Sequence, residues 1–162
     1  MAAERAADPG VIARNLRHAL ASYARSSDGG VVRESAGMTL VDSGVGYAVF
    51  NSAILLQRGA DVAALLEEAG EFFRGRGRPW SCWTVGRLPE AAARRQRLRL
   101  IADHQGMVAE ALIPPRRELP ALEIRRVSDG QTRGDFVTIC SMAFGLPAGV
   151  ARQIQFALKL LF

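Results

Sequence analysis

An α+β fold, with helices flanking a sheet of antiparallel strands, is what this chain predicts, and three observations predict it. Apolar residues recur at helical spacing between Val11 and Tyr23 and again between Val62 and Phe73. Between Val31 and Gln57 the period drops to two, and Asp42-Ser43-Gly44 and Gly46 break the run where a hairpin turns. Leu122 to Gly145 then reads as an edge strand, a cap and an amphipathic helix in succession.

At 162 residues, 49% of them hydrophobic, the chain is long enough for one well-packed domain. The net charge of +5 and a pI near 10.2 invite a nucleic-acid reading. Lys159 is the only lysine, however, and the arginines are spread along the chain, so nucleic acid is not the expected partner. Cys82 and Cys140 are too few for a disulfide framework, and both are expected buried and reduced. No charged start followed by an apolar core opens the sequence, and no run of about twenty apolar residues spans a bilayer, so a cytoplasmic location is expected.

The elements follow in order. Pro9-Gly10 precedes a helix whose face is traced by Val11, Ile12, Asn15, Leu16, Ala19, Leu20 and Tyr23, with Asp28-Gly29-Gly30 ending it. His18 lies at the edge of that face without a second ligand at helical spacing, so neither catalysis nor a metal is assigned to it. Two or three antiparallel strands come next. On the last, Phe50, Ser52 and Ile54 point one way and Val49, Asn51 and Ala53 the other. Asn51 therefore sits among apolar neighbours, where it either ties down nearby backbone or contacts a ligand.

Asp61 caps a second helix with Val62, Leu65, Leu66, Ala69, Phe72 and Phe73 buried and Glu67, Glu68 and Glu71 wet. Arg74-Gly75-Arg76-Gly77-Arg78 follows. Glycines and arginines together suggest a phosphate cradle, but this run closes a helix instead of opening one, which favours a C-cap and loop. Trp80 to Val85 is expected to be a central strand, with Trp83 and Val85 on one face and Cys82 and Thr84 on the other. Both tryptophans supply large buried area, so core packing competes with a binding role for Trp80 and Trp83. Glu90 to Gln105 is expected as a basic helix, Ala91, Leu98, Ile101 and Ala102 inward and Arg94, Arg95, Arg97 and Arg99 outward. Met107 to Ile113 reads as a strand carrying a lone Glu110, and Pro114-Pro115-Arg116-Arg117-Glu118 as a linker.

Glu123-Ile124-Arg125-Arg126-Val127-Ser128-Asp129 followed by an amphipathic helix ending Ala143-Phe144-Gly145 resembles the opening β–α of a GCN5-related N-acetyltransferase (GNAT) domain. Gly46 to Leu56, then a helix leading through Arg74–Arg78 to Trp80-Ser81-Cys82-Trp83, is similar to the degenerate first lobe of two-lobed members. The resemblance covers about residues 35 to 150. It implies a mixed, mostly antiparallel sheet flanked by helices, with residues 1–115 as an N-terminal lobe and 116–162 as the linker and start of a second GNAT domain. It further implies acetyl-CoA as co-substrate, an amine acceptor and a cleft between lobes faced by Asn51, with Trp80 and Trp83 as the other candidate substrate contacts.

The family's Arg/Gln-x-x-Gly-x-Gly/Ala motif places glycines where cofactor phosphates approach backbone amides at a helix start. That motif is absent from this sequence. Gln131 to Phe136 comes nearest, with Phe136 where a small residue is needed. No cofactor-binding residue, metal ligand or catalytic residue is therefore assigned, and the family fold is expected to be incomplete at the C-terminus. Ile154 to Phe162 is apolar nearly all round, so a missing lobe, a partner chain or a second copy in a homo-oligomer is expected to cover it.

Overall fold

The computed structural model describes residues 9–56, 61–104, 117 and 128–145. The chain is α+β, with a mostly antiparallel sheet, four-stranded among the described residues, and flanking helices. The elements run α1 (Pro9–Arg25), β1 (Val31–Ser35), β2 (Met38–Asp42), a 3₁₀ turn (Ala48–Phe50), β3 (Ser52–Leu55), α2 (Val62–Gly75), β4 (Ser81–Trp83), α3 (Glu90–Arg95) and α4 (Gly130–Phe144). The strands expected at Met107–Ile113 and Leu122–Val127, Glu110 and the apolar segment Ile154–Phe162 lie outside the described residues.

Strand order equals chain order, β1-β2-β3-β4. β1 and β2 form a hairpin across Ala36-Gly37, with Ser35 opposite Met38, and Gly37 takes the left-handed φ of 92° that the turn requires. β2 pairs antiparallel with β3, and α2 carries the chain over to β4, which pairs parallel with β3. All five residues of β2 are buried, because helices cover both of its faces. Met38 and Leu40 join Ala53 and Leu55 against Ala69 and Phe73 of α2. Val41 and Ile54 face the other way, against Ala21 and Ala24 of α1.

Helix α1 packs partly through the expected face, with Tyr23 buried and Leu20 set against Val41 and Ile54, and partly through small residues outside that face. Ala13, Ala21, Tyr23 and Ala24 are buried, whereas Asn15 and Ala19 are exposed. Small residues let the helix lie close to the sheet. The same closeness explains Gly30, where a Cβ would stand 1.9 Å from the Ala24 carbonyl oxygen.

Two further expectations shift. Ala48–Phe50 is a 3₁₀ turn and not strand, so β3 begins at Ser52, and Phe50 turns aside to stack on Tyr23 at 5.3 Å. The Tyr23 hydroxyl is buried without a partner among the described residues, and burial pushes its ionisation up. β4, expected to be central, lies at the end of the strand order among the described residues. It is three residues long, and its Cys82 faces the α2 side while Trp83 faces the α1 side.

Cys82 is half-buried there, and desolvation pushes its thiol up to about 12 from an ordinary 9.0. The fold thus favours the neutral thiol. This contribution is complete below about pH 9 and is lost as the pH rises from there towards 12. Alkylation of Cys82 in the folded chain is expected to stay slow at pH 9 and to accelerate at least tenfold once denaturant unfolds the chain, as followed by peptide mass mapping.

Helix α4 is capped by Asp129, one residue later than the Ser128–Gln131 box expected from sequence. The Asp129 carboxylate accepts from the Thr132 amide at 2.8 Å, and the Thr132 hydroxyl accepts from the Asp129 amide at 3.2 Å. Aspartate wins the position because its carboxylate, held below its ordinary range chiefly by the Thr132 amide, carries a full charge at the helix start. Gly145 closes the helix at φ 61°, in the left-handed stop anticipated for it.

Candidate functional site

The densest polar chemistry among the described residues gathers where β2, the Ser43–Asn51 connection and the C-terminal end of α2 meet. Asp42 and Asn51 are both fully buried, on the sheet face that looks towards α2. The Asn51 side chain uses every hydrogen-bonding position it has. Its Oδ1 accepts from the amide and the hydroxyl of Ser43, each at 3.1 Å. Its Nδ2 donates to the Val45 carbonyl at 2.8 Å and to the Pro79 carbonyl at 2.9 Å. Asn51 thereby ties the loop after β2 to the approach of β4.

Asp42 takes a cation from the arginine run. The Arg76 Nε donates to Asp42 Oδ2, and a terminal guanidinium nitrogen of Arg76 donates to the Gly29 carbonyl at 3.1 Å. The Gly44 amide donates to Asp42 Oδ1 at 2.8 Å. Arg78 Nε stands 3.6 Å from the same oxygen and has no hydrogen-bond partner among the described residues. Arg76 thus links the end of α2 to β2 and to the turn after α1.

The rest of the run points elsewhere. Arg74 and Arg78, with Trp80, form one wall of a cleft of about 480 Å³ between α2 and α3, and Arg95, Gln96 and Arg97 form the facing wall. Gly70 lies at its base, where a Cβ would stand 2.0 Å from Gln96 Oε1. The volume falls within the range of small-molecule sites, and the lining carries four guanidinium groups and no carboxylate. Two of these four also pair with carboxylates outside the cleft, Arg95 with Glu67 at 3.3 Å on the helix surface and Arg78 with Asp42 at 3.6 Å.

Two helices end at this cleft with the same hydrogen-bond pattern. At the end of α2 the Gly77 amide donates to Arg74 and the Arg78 amide to Phe73, with Gly77 at φ 62°. At the end of α3 the Arg97 amide donates to Arg94 and the Leu98 amide to Ala93, with Arg97 at φ 56°. Arg97 is the only residue other than glycine with a positive φ among the described residues. The basic helix expected over Glu90–Gln105 is therefore cut to Glu90–Arg95. Ala92 is its buried residue, and Ile101, expected inward, is 70% exposed.

The tryptophans divide between the two sides of the sheet. Trp80 is half-buried, stacks on Phe73 at 5.4 Å and borders the arginine cleft. Trp83 packs with the α1-side cluster, donates its indole N–H to Ser52 Oγ at 3.2 Å and stacks with His104 at 5.9 Å. Trp80, Trp83 and Asn51 therefore do not line one common cleft. Sequence reading missed the meeting of Arg74 and Arg78 with Arg95 and Arg97. The signal available for it was that both basic runs stand at helix C-termini, where cations are favoured.

His18 is exposed beside Arg17, and among the described residues no three His, Cys, Asp or Glu side chains gather to hold a metal ion. No described helix is long and apolar enough to cross a membrane. No family model, curated protein or solved structure matches the chain.

Proposed function

We propose that this chain is the N-terminal, acceptor-side part of a GNAT-type N-acetyltransferase, which passes an acetyl group from acetyl-CoA to an amine. The observation that supports this reading is the path of the chain. Three antiparallel strands lead into a helical crossover and a parallel fourth strand, and the β3–β4 pairing stops after Ile54 opposite Trp83. Mixed sheets of this layout bind ligands where parallel strands part. In such a reaction the amine attacks the thioester carbonyl carbon, the thiolate of CoA leaves, and a base removes the amine proton. Without the glycine motif, this part of the enzyme would shape the acceptor side and not the phosphate cradle.

Calorimetric titration of the 162-residue chain with a panel of primary amines, and separately with acetyl-CoA, tests the reading. One amine class is expected to bind with one-to-one stoichiometry, and acetyl-CoA is expected to find no cradle of its own. A folded chain that binds no amine would overturn the assignment. A second reading would then take its place, that of a non-catalytic interaction module. It is favoured by Ile139 and Met142 of α4, which stand 65% and 81% exposed. A defined dimer in sedimentation, lost on Met142→Ser, would identify that module.

A further inference from the structure

We infer that the cleft between α2 and α3 is a binding site for a small organic phosphate carrying at least two phosphoryl charges, such as a nucleoside diphosphate. Guanidinium groups meet phosphate oxygens in pairs of parallel hydrogen bonds, and four of them face one cleft of about 480 Å³ with no carboxylate in its lining. Trp80 adds a flat apolar wall against which a ring can lie.

The arginines could instead be there for the helices they end. Two helix C-termini carry at most about one negative charge between them. Four guanidinium groups exceed that by about three charges, of which Glu67 offsets one at Arg95, and a doubly charged anion balances the remainder.

Arg97 carries the inference furthest. Both helices end in the same motif, and at the left-handed position α2 has Gly77 while α3 has Arg97. A side chain at that φ is strained and glycine is not. The strain is unnecessary for closing α3, as α2 demonstrates, but it sets a fourth guanidinium on the cleft wall.

The test uses the full chain and ADP as probe, with tripolyphosphate and a twenty-base single-stranded oligonucleotide in parallel. One-to-one ADP binding is expected, weakened about tenfold in Arg74→Ala and in Arg97→Gly, in line with the loss of one charge-assisted contact. Arg97→Gly is also expected to melt about 2–4 °C higher, since it relieves the backbone. A variant that is more stable and binds less cannot have lost binding by unfolding.

Failure of the folded chain to bind ADP at millimolar concentration overturns the site, as does unchanged affinity in Arg97→Gly. A lower melting temperature for Arg97→Gly overturns it too, because Arg97 would then be holding the fold. Tripolyphosphate binding as tightly as ADP removes the ring from the ligand class. Preference for the oligonucleotide replaces a small ligand by nucleic acid. Acetyl-CoA also carries a nucleoside diphosphate, so heat that Arg97→Gly abolishes belongs to this cleft. Heat that survives that substitution marks a separate cofactor site and counts against the acceptor-side assignment alone.

Discussion

Asn51→Ala is expected to destabilise the chain by about 3–4 kcal/mol, lowering its melting temperature by roughly 10 °C, as measured by calorimetry. The substitution strands four groups at once. The Ser43 amide and hydroxyl lose their acceptor, and the Val45 and Pro79 carbonyls lose their donor. An unsatisfied buried group costs about 1–3 kcal/mol. Pro79 is exposed and Ser43 can turn its hydroxyl, which keeps the sum near the lower end. Asn51→Asp is expected to do no better, because a carboxylate cannot donate to the two carbonyls and would bring a charge to a fully buried site.

The same variant weighs on the role expected of Asn51 as a ligand contact. An amide already engaged at all four positions has to break one of these bonds before it can meet a substrate. If Asn51→Ala melts within about 1 °C of the parent while amine binding falls, the contact role stands and the loop is held by other means. A large fall in melting temperature locates its main work in the fold, between the Ser43–Val45 turn and the approach of β4.

Periodicity made α1, α2 and a run of two or three antiparallel strands legible, since each buries a stripe or face. The face of α1 was legible at Leu20 and Tyr23, but its alanines were missed for a physical reason. Its contact runs through Ala13, Ala21 and Ala24, and closeness of approach there matters more than the size of the apolar side chain. The early end of α3 was illegible because arginine is a good helix former, and nothing in its type announces a left-handed φ. Asn51 was readable as a buried polar residue, but its four partners lie up to 28 residues away along the chain. The arginine cleft needed two runs about twenty residues apart to meet, which only the packing of α3 on α2 brings about.

Within the Arg74–Arg78 run, Arg76→Ala is the substitution expected to cost most, about 2–3 kcal/mol, with the loss nearly independent of salt between about 0.05 and 0.5 M. Asp42 stands at 0% exposure and pairs with Arg76, with the Gly44 amide in support. Removing Arg76 leaves that carboxylate buried beside a guanidinium 3.6 Å away whose Nε makes no hydrogen bond among the described residues. Removal of one member of a buried pair costs about 3–5 kcal/mol, and the 32% exposure of Arg76 and the nearness of Arg78 bring the figure down. Arg76→Lys restores the charge but not the fork that reaches Asp42 and Gly29 together, so about half of the loss should remain. Measuring Arg76→Ala with and without ADP then links this core pair to the cleft. If Arg78 swings onto Asp42 to replace Arg76, the cleft loses a donor, and ADP affinity should fall even though Arg76 does not line it. Unchanged stability together with unchanged ADP affinity would mean that Asp42 does not depend on Arg76, and that the Gly44 amide and an unmoved Arg78 are enough to hold its buried charge.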